Sequence, residues 1–156
     1  MTPDAITAAF VAALLLALAT RFWLATRQMR HVAAHRGAVP APFAGTVTLA
    51  AHQRAADYTL AKGRFGLLSA AFAAAVLVGW TLLGGLDALN QWVLAAVQPR
   101  LGDLGYQLAL LAAFALVGAA IELPFEWWDT FRLEQRFGFN RMTPKLFVAD
   151  LLKNTV

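Results

Sequence analysis

Two histidines four residues apart, His31 and His35 in HVAAH, are the first candidates for chemistry. On a helix that spacing puts both imidazoles on one face, as a zinc site requires. Position 32 is Val32, however, so the acid that would activate a metal-bound water is missing. Arg27, Arg30 and Arg36 crowd the pair, and a basic surround disfavours a dication. The pair therefore reads as part of a basic segment, and His52 as a solitary surface residue. Among carboxylates, Glu122 closes a long apolar run and is followed by Glu126, Asp129 and Glu134. An acid at such a place is either functional, because burial is costly, or a terminal group that snorkels to the interface or pairs with Arg132. The chain has no cysteine, which excludes disulfides and thiolate ligands. Nucleophile constellations, phosphate-cradling glycine loops and dinucleotide fingerprints are likewise absent.

The elements that would position any of these groups are apolar. Of 156 residues, 60% are apolar and 14% charged, and mean hydropathy is +0.58, values that belong to a membrane protein. Residues 5–20, AITAAFVAALLLALAT, are uncharged, and Phe22, Trp23 and Leu24 extend them beyond a snorkelling Arg21 into a span of about 5–25. No Lys or Arg precedes this segment, which favours an uncleaved signal-anchor helix over a signal peptide. Residues 65–86 and 104–122 form the second and third spans. ALNQWVLAAVQPR, residues 88–100, is broken by Asn90, Gln91 and Pro99 and reads as an interfacial helix or an extension of the hairpin. The glycines of GWTLLGGL, Gly79, Gly84 and Gly85, suit close helix packing.

Charge supplies an orientation. Residues 21–64 carry seven basic side chains against Asp57 alone, whereas residues 87–103 carry only Arg100 against Asp87 and Asp103. Five more basic residues follow the third span. The positive-inside rule then places the N-terminus outside, the 26–64 loop and the C-terminus in the cytoplasm, and the short loop outside. Basic residues flanking apolar segments suit anionic lipid, and no nucleic-acid-binding motif accompanies them. The bilayer is thus the expected partner and nucleic acid is not.

The polar segments have their own signals. Pro40 and Pro42 break any helix over residues 38–43. Helical composition then resumes, with Ala51, Ala55, Tyr58 and Lys62 on one face for packing on another helix or the membrane surface. WWDTFRLEQRF is helical in composition, and Gly138 suits the left-handed position that ends a helix. Thr143-Pro144 starts another helix, with a buried stripe expected from Phe147 and Leu151 and, beside them, Leu146 and Val148. Asp150 and Lys153 are polar neighbours three apart, and Phe131, Phe137 and Phe139 pack the joint. The predicted fold class is all-α: a single N-terminal membrane domain over 1–156, with three transmembrane helices, a cytoplasmic loop and a cytoplasmic helix–joint–helix over 125–156.

LPFEWWDTFRLEQRFGFNRMTPKLFVADLLK, residues 123–153, resembles the segment that precedes the catalytic region in the integral-membrane CAAX prenyl proteases. The resemblance is carried by Leu123, Pro124, Phe125, Thr130, Phe131, Glu134, Phe137, Gly138, Phe139, Asn140, Thr143, Phe147, Asp150 and Lys153. RQMRHVAAHRGAVPAPF and then Ala56, Asp57, Tyr58 and Lys62 are similar to that family's first loop. Coverage runs from about Arg21 to Val156 in the same order of spans. What the resemblance implies is a zinc metalloendopeptidase with a membrane chamber. Its HExxH helix and a downstream glutamate would hold the metal, and its substrates would be prenylated or other membrane-associated proteins.

No HExxH stands in these 156 residues. The expectation is therefore a non-catalytic N-terminal domain with no catalytic residue, metal ligand or cofactor of its own. Zinc would belong to the full-length protein and its catalytic C-terminal domain. The family-signature residues from Pro124 to Asp150 are then structural or chamber-lining, and the localisation is a bacterial inner membrane. The rival reading is a self-standing three-span scaffold that binds partners through its polar helices. Half of a transporter fits less well, since broken spans and central charges are missing.

Overall fold

The computed structural model describes residues 2–154. Among them every regular element is helical: α1 Pro3–His35, α2 Leu49–Thr81, α3 Gly85–Trp128, α4 Gln135–Phe137 and α5 Pro144–Asn154. A 3₁₀ turn occupies Ala41–Phe43 and a π-helical turn Asp129–Glu134. Three stretches are long and apolar enough to cross a membrane: Pro3–His35, Leu49–Thr81 and Gly85–Phe137. The chain divides into two compact units, Met1–Glu122 and Leu123–Val156.

In the first unit, threonine caps start the helices. Thr2 Oγ1 accepts from the Ala5 N–H at 3.4 Å, with Pro3 next to it, and Thr48 Oγ1 accepts from the Ala51 N–H at 3.2 Å. Each satisfies an amide that the first turn leaves orphaned. Between α1 and α2, Pro40 holds an extended conformation before the 3₁₀ turn, as its ring dictates.

α1 and α2 pack together through small residues. Ala56 and Ala70 of α2 are 7% and 6% exposed, and Gly63 lies midway between them, seven residues from each. A methyl group at Gly63 would come within 2.8 Å of Met29 Sδ on α1. With no hydrophobic drive between helices in lipid, close approach at small residues is what holds them. On the face that carries Ala51, Ala55, Tyr58 and Lys62, the two alanines are exposed and Tyr58 and Lys62 are half-buried.

α2 ends at Thr81, five residues short of the expected span. The Leu82 and Leu83 N–H groups both reach back to the Val78 carbonyl. The glycine cluster follows, and the packing expected of it holds only in part. Gly84 has φ +79° and open space around it, so it turns the chain; Gly79 is also open on its Cα side. Gly85 alone is tightly placed, with the Gly79 carbonyl oxygen 2.8 Å from where a Cβ would sit.

α3 is helical throughout except at Gly102, where φ 67° and ψ −170° interrupt it. That backbone region is open essentially to glycine alone. The break separates residues 85–101, which contain the interfacial stretch 88–100 of the sequence reading, from the third span. Tyr106 Oη donates to Asn90 Oδ1 across it, and Trp80 meets Phe114 edge-on at 5.2 Å. Val93, 2% exposed, is the most buried side chain described.

Candidate functional site

The signature residues fall within the second unit, and the structure shows how they are arranged there. Pro124 and Phe125 lie on α3, and Thr130, Phe131 and Glu134 on the π-helical turn. Phe137 ends α4, and Gly138 follows it with φ 77° and ψ 17°, in the left-handed region that glycine accepts without penalty. The Phe139 N–H bonds the Glu134 carbonyl at 3.0 Å and the Gly138 N–H bonds the Gln135 carbonyl at 3.1 Å. That crossed pair is a Schellman ending, and it satisfies carbonyls the helix would otherwise orphan.

The chain beyond the glycine is organised by two polar side chains. Asn140 Oδ1 accepts from the Met142 N–H at 2.6 Å, which folds the backbone over a short turn. Thr143 Oγ1 accepts from the Leu146 N–H at 3.3 Å, and Pro144 follows as the first residue of α5. The joint is thus built as expected from Gly138, Thr143 and Pro144, and the structure adds the Asn140 turn between them.

Three rings pack the unit. Trp127 and Phe131 have centroids 4.3 Å apart, and Phe147 meets them edge-on at 5.6 and 5.5 Å. Such edge-to-face contacts place the positive rim of one ring on the negative face of another. Phe147 and Leu133 are each 8% exposed and form the unit's small core. Trp127 and Leu133 had not been singled out from the sequence. Trp127 is one of two adjacent tryptophans, and composition does not say which of the two turns inward.

One expectation is corrected here. Leu146 and Val148 are 47% and 50% exposed, so the stripe of α5 rests on Phe147 and the half-buried Leu151. Phe139 is 54% exposed. Phe137, Asn140 and Asp150 are half-buried.

In the first unit the histidines are tied to backbone. His35 Nδ1 donates to the His31 carbonyl at 2.9 Å, with the two rings 4.2 Å apart, and His52 Nε2 donates to the His35 carbonyl at 3.0 Å. His52 is therefore not solitary; it caps the end of α1. Beside it Arg36 meets Asp57 through two parallel bonds of 2.7 and 2.8 Å. That hydrogen bond, and then the carboxylate's charge, raise the guanidinium above the usual arginine range. Among the described residues no three His, Cys, Asp or Glu side chains come together as a metal site needs, and a zinc centre does not fit them. Glu122 is exposed. An open, mostly apolar groove of about 800 Å³ lies among Trp80, Leu86, Leu110, Leu111 and Phe114, with Asp87 and Asn90 as polar lining.

A family model described as the CAAX prenyl protease N-terminal region, with five membrane helices, matches residues 28–156. The chain belongs to this family. Relatives include a probable CAAX prenyl protease 1 of Schizosaccharomyces pombe, 31% identical over 73% of this chain. A CAAX prenyl protease 1 homolog of Oryza sativa is 27% identical over 80% of it. The match covers 26% and 30% of those proteins, so this chain spans less than a third of their length. Among solved structures, S. mikatae Ste24p superposes with a TM-score of 0.83 over 92% of this chain and 34% of its own, at 19% identity, a likeness of fold. The family match contains both the Arg36–Asp57 clamp and the whole aromatic joint.

Proposed function

We propose that this chain is the non-catalytic, chamber-forming membrane part of a CAAX prenyl protease-like zinc metalloendopeptidase acting on prenylated or other membrane-associated proteins. The observation that carries the reading is the family match over residues 28–156, which takes in the second and third spans and the joint but no metal-ligating cluster among the described residues. In this role the helices offer walls and the joint fixes the approach of the chain to the catalytic part. Zinc and the water-activating glutamate come from that part. The signature side chains from Pro124 to Asp150 shape the unit and line the chamber. They do not cut.

The excess of basic residues in 21–64 and 132–153 supports an N-terminus outside and a C-terminus in the cytoplasm of a bacterial inner membrane. Purified in detergent with added zinc, this chain is expected to leave a prenylated peptide intact; measurable zinc-dependent cleavage overturns the reading. Reading the coding frame past Val156 is the complementary test. An HExxH sequence there supports the protease, and a stop codon favours the self-standing scaffold.

A further inference from the structure

One face of α1 has no part in that reading. Trp23, Arg27 and Arg30 follow one another at spacings of four and three and so share a helix face. With Thr26 and Phe22 they line a cleft of about 400 Å³. The Arg27 guanidinium carbon sits 5.9 Å from the centre of the Trp23 ring, which holds the side chain by a cation–π contact. Arg36, one turn and a half further on, spends its fork on Asp57. Among the described residues no carboxylate lies within ion-pair distance of Arg27 or Arg30. Two exposed guanidiniums beside an indole are therefore open to an external anion.

Depth along the helix identifies that anion. The uncharged run starts at Ala5, and a hydrocarbon core of about 30 Å is crossed in about 20 residues of α-helix. The core thus ends near Ala25. Thr26, Arg27 and Arg30 come next, at the level of the head groups, where tryptophan is also favoured.

We propose that Trp23, Thr26, Arg27 and Arg30 form a binding site for the phosphate of an anionic phospholipid. Each arginine can offer parallel N–H donors to phosphate oxygens, and the Thr26 hydroxyl can add a further donor. Phe22 and Trp23 supply the apolar wall along which the acyl chains leave. That wall selects a lipid over a free phosphate ion.

The test uses the whole chain in a neutral detergent, with native mass spectrometry of adducts formed from equal amounts of palmitoyl-oleoyl phosphatidylglycerol and phosphatidylcholine. Phosphatidylglycerol is expected to be retained preferentially. Its retention should fall roughly fivefold for each arginine removed in R27Q, R30Q and the double variant. The control R100Q, at the lone arginine of the short 87–103 connection, should leave it unchanged. Equal retention of the two lipids, or an undiminished phosphatidylglycerol adduct in the variants, overturns the site. Displacement of the lipid by millimolar inorganic phosphate overturns the choice of a lipid. If the double variant does not survive extraction, R27Q and R30Q singly, with helicity matching the parent, carry the same test.

Discussion

The two compact units solve the problem of staying folded in opposite ways. In Met1–Glu122 the long side chains face outward: Leu16, Leu68, Leu104 and Leu111 are all 60% exposed or more. Along their apolar length α1 and α2 meet at alanine and glycine, with Met29 against Gly63, and the His52–His35 and Arg36–Asp57 contacts are confined to the polar end. In Leu123–Val156 the order is made of directed contacts: a crossed helix ending, an asparagine turn, a threonine cap and Phe147 edge-on to Trp127 and Phe131. The first unit suits a solvent that is itself apolar, where leucine gains little by hiding and close packing decides. The second satisfies its polar backbone groups explicitly, residue by residue.

Substitutions can sharpen that contrast. The largest effect is expected from Phe147→Ala, which removes the ring shared by Trp127 and Phe131. Large-to-small changes of this kind cost about 3–5 kcal/mol. Amide exchange over residues 144–154 should accelerate sharply while that of α2 stays as it was; unchanged protection of α5 would show that the rings do not hold it. Gly138→Ala should cost about 1–2 kcal/mol, because the backbone there is left-handed. The amides of Gly138 and Phe139 should lose protection first.

Arg36→Gln is expected to have the smallest effect, since both partners of the Asp57 pair are well exposed, at 44% and 43%. Such pairs are screened by salt. Its pH dependence has a definite sign. The guanidinium is raised in the folded chain, so its contribution is complete below the ordinary arginine range and is lost only as pH climbs beyond it. Thermal unfolding of the parent should therefore show no loss traceable to Arg36 between about pH 6 and 9. A steep salt or pH dependence removed by R36Q would mean that the first unit, too, depends on directed polar contacts.

What could be read in the sequence follows the range of the forces involved. Uncharged runs announce spans because lipid acts on every residue of a helix alike. Thr143-Pro144 and Gly138 were legible because a cap and a left-handed glycine are local chemistry. Leu146 and Val148 were misassigned because on an eleven-residue helix one position moves a side chain about 100° around the axis. The Arg36–Asp57 and His52–His35 contacts join residues 21 and 17 apart. They become visible only once α1 and α2 are known to lie side by side. The spacing of Ala56, Gly63 and Ala70 was present in the sequence but hidden by general alanine richness. Gly102 lay in the short connection between Arg100 and Asp103, where the sequence marked a loop but not which residue breaks the helix.

The π-helical turn at Asp129–Glu134 has a consequence for how this segment can change in length. A wide turn holds one residue more than ordinary winding needs, so deleting a single residue there could leave a continuous α-helix. The extra residue is taken up within about the rotation that one fewer α-helical residue would give, so the residues before and after the turn would keep their facing. Trp127 lies before the turn and Phe147 after it. A deletion of this kind should therefore leave the Trp127–Phe147 contact in place, which makes the identity of the rings more binding than the count of residues in the turn.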